Sequence, residues 1–549
     1  MGRPRWRRPA AAAAWLLGVI AAFFAYLLLA RTRAVNSDGA SNALQAWDML
    51  HGNPLLRGWS LSDVSFYTTE LPQYMLVELV RGLNQDVVHV AAAMTYTLAV
   101  LLAALLAKGD ATGRQALVRV LIAAGIMLAP QLASGVNILL SSPDHIGTSV
   151  PVMLAWLILD RGRAGPNRGD PSPRTPLGYV PVVVGVLLGW AEVADMLVLY
   201  IGVIPLVMVC AVNAVRAVAA ERQPLASQWY PAALAAAAAA GAAAAVLALH
   251  AIHAHGGFYM PAPAAQVAGS GTALLHNLGI AGQGLLLLGG ADFLGLPATA
   301  STGFVVLHVV GVGLAAGGIA LAALRFLRDR DLAAQLLVTG VAVNLAIYVL
   351  SSKSAVVTQT REIAPVLPFA AALAGRLLGP RLLGSRLLGS RPLAGRLRAA
   401  VRFGLAPVLA VAAAGYLAGL AREISQPPAP AQNAQLASWL EGRHLRTGLS
   451  GYWESNVVTL TSGGRVQVRT VNVTARGRIA GSVLEAKAQW YDPRYSRATF
   501  AVLFPGVPGY GGFTPEGAVL AAFGRPARTY HVGAYTVLVW NGNLLRKLG

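Results

Sequence analysis

A single cysteine, Cys210, in 549 residues has no partner for an intramolecular disulfide and cannot form a zinc cluster. It lies inside an apolar run and is expected to pack there. Charge is scarce as well: 12% of residues are charged and 56% are hydrophobic, where soluble domains carry about 25% charged residues. That balance excludes an ordinary soluble domain and points to a polytopic membrane protein. Acids are few, 23 against 43 Lys and Arg, giving a net charge of +20. The excess does not imply nucleic acid, because the basic residues are not gathered on one face with interleaved aromatics. Also absent are a Walker phosphate loop, a dinucleotide fingerprint, a nucleophile elbow and an HExxH zinc signature, so soluble-type nucleotide chemistry has no support.

Long apolar runs are what the chain does have. Segments of spanning or near-spanning length begin near Ala11, Val87, Gln115, Gly147, Gly178, Met196, Pro231, Thr302, Leu332, Glu362 and Val401, about eleven spans at roughly 20 residues each. With Arg3, Arg5, Arg7 and Arg8 cytoplasmic, alternation puts the basic loops Lys108–Arg119, Arg161–Arg174, Arg216–Arg222, Arg325–Arg330 and Arg376–Arg402 on the same side, as the positive-inside rule requires. The N-terminus is then cytoplasmic and the C-terminus extracytoplasmic. The first run is read as a retained helix, since it is as long as a span and not merely a signal-peptide core. Leu177–Val212 must cross twice in few residues, which predicts a short or broken helix lining a cavity. The repeat "RLLGPRLLGSRLLGSRPLAGRLR" reads as an interfacial linker, with leucines in lipid and arginines on anionic headgroups.

The predicted fold is mainly α: a transmembrane helical bundle over residues 1–425, with outer-loop helices at 37–52 and 70–82. A small extracytoplasmic α/β domain over 426–549 follows the proline-rich "QPPAPAQN". In that tail a helical "NAQLASWLEGRHL" precedes strand-like "RVQVRTVNV", "ATFAVLF" and "YTVLVW", separated by glycine turns.

Ionisable residues at the outer edge of the bundle are the candidates for function, because they are costly near a membrane. Asp38 opens the first outer helix, "SDGASNALQAWDMLHG", and Glu70 opens the second in "FYTTELPQY". At a helix N-terminus each is favoured as the anion. An anion there suits a base that takes a proton from a hydroxyl, or a pair that holds a divalent cation. Asp144 and His145 share the outer turn "SSPDHIG", where His145 would meet a phosphate or metal and Asp144 would orient it. Glu192 and Asp195, three apart in "WAEVADM", share a face if helical. In "SSKSAVVTQTREIAPVLP", Arg361 at the head of a helix suits clamping a phosphate, with Lys353 as a point charge. Each has a plain structural reading beside it: capping for Asp38 and Glu70, a capped turn for Asp144 and His145, a polar turn for Glu192 and Asp195, and a local Arg361–Glu362 pair. His250, His253 and His255 do not fall on one helical face and read as an interfacial rim.

The order of these parts resembles the GT-C superfamily of integral membrane glycosyltransferases, which includes protein O-mannosyltransferases and aminoarabinose transferases. What matches is a first span, an outer helix with a leading acid, a second acid in "FYTTELPQY", many spans, an arginine-headed late span "TREIAPVLP" and an outer C-terminal domain. The resemblance implies transfer of a sugar from a polyprenyl-phosphate donor to a glycan, lipid or protein acceptor on the extracytoplasmic face of the plasma membrane. It assigns Asp38 as base, Glu70 as second acid or metal ligand, and Arg361, Lys353 and His145 to the donor phosphate. One departure stands out: Gly39 follows Asp38 where O-mannosyltransferases commonly carry a second acid. A transporter or flippase of lipid-linked glycans, and a non-catalytic scaffold on the same fold, are the competing expectations. The alanine, arginine and glycine richness suggests a high-GC bacterium.

Overall fold

A computed structural model describes residues 7–132, 137–141, 144–164, 175–176, 178–261, 266–293, 300–382, 393–431, 433–474, 476–504 and 516–549. The turn at Ser142 and Pro143 and the middle of the arginine-leucine repeat fall outside this set.

The chain is a multi-pass membrane protein built mainly of α-helix, with a sheet near its C-terminal end. Among the described residues, eight helices are long and apolar enough to cross a membrane, or nine if the bent pair Val357–Ile363 and Val366–Leu382 makes one span. The expected eleven is therefore not reached. Three of the segments read as spans form helices that are too short: Gly113–Ile126 with 14 residues, Ile146–Arg161 with 16 and Val180–Ala194 with 15. Conversely, Gly271–Leu288 is of spanning length but is not among the expected spans, because His276, Asn277 and Gln283 dilute its apolar character.

The crowded stretch from 177 to 212 is broken as expected. Val180–Ala194 ends at Asp195, whose backbone is extended, with φ −150° and ψ 116°. A wide π turn over Leu199–Val203 then leads into Ile204–Ala219, an irregularity often found where a helix lines a site. Behind it, "GVLLG" (Gly185 to Gly189) lets Val180–Ala194 pack backbone to backbone on Trp229–Ala254: a Cβ on Gly185 would lie 2.4 Å from the carbonyl oxygen of Ala237. Close approach through paired small residues is a common way for helices to associate in lipid. At the other end of the bundle Arg376 joins three helices, bonding Asp160 at 2.7 and 3.1 Å, Asp331 at 2.7 Å and the Leu106 carbonyl at 2.8 Å.

The sheet has six strands, in the order Ile479–Gly481, Gln467–Val473, Thr447–Ser450, Phe500–Leu503, Tyr535–Val539 and Arg528–Val532. Thr447–Ser450 runs parallel to both its neighbours and the other pairings are antiparallel. This layer is bound to the first outer loop. Trp59 and Ser60 pair with Lys487 and Ala486, and Lys487 Nζ reaches both Asp48 oxygens at 3.0 Å. Trp59 Nε1 donates to the same carboxylate at 2.7 Å and its ring meets Trp490 edge-on at 4.9 Å.

Candidate functional site

The two outer helices run over Ser37–Leu50 and Glu70–Arg81, closed by Gly52 and Gly82 at φ of +96° and +67°, values that glycine adopts without a Cβ penalty. Both begin where expected, at Ser37 and Glu70, but their capping differs. Asn36 caps the first helix, its side chain accepting from Gly39 N at 2.9 Å, and Ser37 Oγ donates to the Tyr452 carbonyl. Asp38 is thus released from capping. Its Oδ1 accepts from the Tyr452 hydroxyl at 2.5 Å and its Oδ2 faces Arg361 Nη1 at 3.4 Å.

Glu70 is also not simply a cap. Thr69 makes no side-chain cap bond, and its hydroxyl donates instead to Glu70 Oε2. Oε1 is buried without a hydrogen-bond partner among the described residues and lies over Gly147, where a Cβ would come within 1.7 Å of it. Burial pushes the Glu70 carboxyl up to about 7.

His145, Asp195, Lys353 and Glu362 converge on a neighbouring site. His145 Nδ1 meets Asp195 Oδ2 at 2.7 Å and Nε2 meets Glu362 Oε2 at 3.3 Å. Lys353 Nζ bridges Asp63 at 2.6 Å and Glu362 at 3.2 Å. Asp195 is fixed further by Thr148 Oγ1 and by Leu197 N at 2.9 Å. Burial opposes the charge on His145, but Asp195 and Glu362 outweigh it and hold the imidazole well above its ordinary value. Lys353 is likewise raised: burial opposes its charge, and Glu362 and Asp63 overcome it.

Two expectations are corrected here. Asp195, and not Asp144, orients His145, while Asp144 accepts from Ser141 Oγ at 2.6 Å. Burial carries the Asp144 carboxyl up to about 6, with the Arg361 charge holding it back. Glu192 and Asp195 do not share a helical face, because the helix stops between them and leaves Glu192 Oε2 buried without a partner.

These groups border a cavity of about 130 Å³. Its wall combines the polar Asp63, His145, Asp195, Lys353 and Glu362 with the apolar Met196, Leu197, Tyr200, Ile347 and Tyr348. The π turn places Tyr200 in that wall. Arg361 lies in the 3₁₀ turn Val357–Ile363, set at 54° to the helix that follows, so it heads a bent segment instead of a straight span. Its buried Nε has no hydrogen-bond partner among the described residues.

The residues do not fit a metal ion. No group of three or more His, Cys, Asp and Glu side chains among the described residues is placed to hold one. Asp38 is engaged by Arg361 and Tyr452, and Glu70 turns to Gly147 and Thr69.

Three participants escaped the sequence reading. Asp63 lies in the loop between the two outer helices and was not singled out, because an acid in a loop with a lysine elsewhere is a weak signal. Tyr452 and Glu485 come from the C-terminal region, where no motif marked them.

No family profile matches the chain and no curated protein matches it by sequence. Its fold is that of ArnT from Cupriavidus metallidurans. The structure of that protein bound to undecaprenyl phosphate superposes with a TM-score of 0.55 at 13% identity, over 98% of this chain and 99% of that one. Its apo structure gives 0.53 at 14% identity, with the same coverage. The Archaeoglobus fulgidus oligosaccharyltransferase in complex with Zn and sulfate aligns at a TM-score of 0.48 and 12% identity, over 86% of this chain and 64% of that one, too loosely to inform the fold.

Proposed function

We propose that this chain is a membrane glycosyltransferase that moves a sugar from a polyprenyl-phosphate donor to an acceptor hydroxyl on the extracytoplasmic face. The observation that carries this reading is the make-up of the cavity: Lys353 and His145 share one lining with aromatic and aliphatic side chains, and Arg361, next in sequence to the lining residue Glu362, is paired with Asp38. A phosphate on a long apolar tail needs those two environments in contact. The ArnT fold supports the same reading, since that protein was solved with undecaprenyl phosphate bound.

In this scheme Asp38 accepts the proton of the acceptor hydroxyl as its oxygen attacks the anomeric carbon. The bond to the phosphate breaks, and the polyprenyl phosphate leaves with the electron pair. Arg361, Lys353 and His145 meet the charge that grows on the leaving phosphate, the interaction that gains most during such a transfer. Each is already paired with a carboxylate, so donor phosphate binds by exchange, displacing Asp38 from Arg361 and loosening Glu362 from Lys353. Asp144 sits behind Arg361 and Asp195 behind His145, so both act by placing a cation. Glu70 serves as a second acid that carries its proton near neutral pH. Residues 426–549 form an extracytoplasmic domain that closes over the first outer loop, and the N-terminus is cytoplasmic.

The test is sugar transfer by the full chain in membranes supplied with polyprenyl-phosphate-linked sugars. Asp38→Asn is expected to lower turnover by about 10²–10⁴-fold, the usual weight of a general base, with unchanged expression. Full transfer by that variant would end this reading.

A further inference from the structure

The hydrogen bonding around Asp38 is short of one proton. Tyr452 has a single phenolic hydrogen, yet its oxygen lies 2.5 Å from Asp38 Oδ1 and 2.5 Å from Glu485 Oε2. The hydroxyl donates to one carboxylate only. At the other contact an ionised carboxylate would face a phenolic oxygen with nothing between them, in a buried setting where such a pair is costly. A second proton must therefore reside on one of the two acids.

The surroundings decide which. Asp38 has the Arg361 guanidinium beside it and remains partly accessible. Glu485 is 5% exposed, and no cation among the described residues forms a salt bridge with it. The groups that face it are Asp38 and Ser41 on the first outer helix, Tyr452 on Tyr452–Thr461 and, farther off, Arg361. Ser41 Oγ accepts from Gln45 Nε2 at 3.0 Å, which leaves its own hydrogen for Glu485. The backbone of Glu485 is left-handed, with φ 47°, a conformation uncommon outside glycine, asparagine and aspartate. The chain is bent to aim this carboxyl at Tyr452. Burial, and after it the Asp38 charge, pushes the Glu485 carboxyl up to about 8.

We propose that Tyr452 and Glu485 are positioning residues for Asp38: the proton on Glu485 is donated to the Tyr452 oxygen, which obliges the phenol to donate to Asp38 and hold that carboxylate ionised and aimed. The C-terminal region thereby completes the site. This rests on Asp38 being the base of a transfer reaction, but where the proton sits is independent of that.

Two measurements on the full chain separate the two ideas. Infrared difference spectra between neutral and alkaline pH read the proton directly. The wild-type protein is expected to show a hydrogen-bonded carboxylic acid band that titrates near pH 8 and is missing in Glu485→Gln. Identical spectra for the two proteins would overturn the proposal whether or not any sugar is transferred. In transfer assays, Glu485→Ala and Tyr452→Phe are each expected to lower kcat about tenfold, the value of one hydrogen bond to a charged group, with little change in KM for the lipid donor. Glu485→Gln, neutral at every pH, restores most of the loss relative to alanine and removes the part of the alkaline fall centred near pH 8, leaving the part that Glu70 sets near pH 7. An alkaline limb unchanged in Glu485→Gln would overturn the relay while leaving the transferase reading intact. A wild-type protein that transfers nothing but shows the band would leave the proton placement standing and end the transferase reading.

Discussion

Gly147 has no side chain, and Glu70 depends on that. Adding a methyl group there would set a carbon 1.7 Å from Glu70 Oε1, so Gly147→Ala must drive the carboxylate out of its place. The expected outcome is a sharp drop in transfer with the bundle still assembled, checked by activity beside thermal unfolding in detergent. Glu70 also makes a pH prediction. Its carboxyl is raised from an ordinary 4.5 to about 7 by burial, so the folded state prefers the protonated form more than the unfolded state does. The stability this contributes is full below pH 4.5 and is lost as pH rises through 7. Glu70→Gln should flatten that part of the profile, and unfolding midpoints for the two proteins between pH 5 and 8 will show it. The ionisable residues at the outer edge could be found in the sequence because they stand out against an apolar background: His145, Asp195 and Lys353 line the cavity, and Asp38 and Arg361 meet each other. Their partners were less visible. A sequence cannot say that Asp195, fifty residues on, takes His145 while the adjacent Asp144 does not, because that depends on a helix ending at Ala194.

Among the elements, the outer helices could be read from their apolar period and closing glycines, and the first starts at Ser37 as expected, but its cap is Asn36 and not Asp38. That residue matters, since Asn36 as the cap leaves Asp38 free to face Arg361. Asn36→Ala should cost about 1 kcal/mol, typical of a lost N-cap, and should depress transfer further than the loss of stability explains, since Asp38 would be drawn toward the vacated amides. Helix lengths were harder to judge, because apolar character alone does not distinguish a span from a short helix buried among its neighbours, as Ile146–Arg161 is. The packing of Val180–Ala194 gives a second test at this scale. A Cβ on Gly241 would lie 2.2 Å from the Gly185 carbonyl oxygen, so Gly241→Ala should separate the two helices at a cost of about 1–3 kcal/mol, the range for overpacking. Unfolding of the purified variant will read it.

For the whole molecule, the joint between the membrane bundle and the C-terminal sheet is what the sequence did not show. A proline-rich linker suggested two parts, and nothing in either pattern said that they lock together. The lock consists of a two-residue strand pair, the Trp59–Trp490 contact and the Lys487–Asp48 bridge, features that exist only once residues far apart in sequence have met. Lys487→Glu should loosen it and reduce transfer, while the exchanged pair Lys487→Glu with Asp48→Lys should recover part of the loss. Activity of the wild type and the two variants side by side will measure the coupling.

The Asp38–Tyr452 contact spans 414 residues of chain, and this has a bearing on biogenesis. Synthesis proceeds at roughly 5–20 residues per second, so about 20 to 80 seconds pass between the two side chains leaving the ribosome. On the proposed reading Asp38 has no Tyr452 to orient it throughout that interval, so transfer begins only once Tyr452 has been made and has folded against the first outer helix.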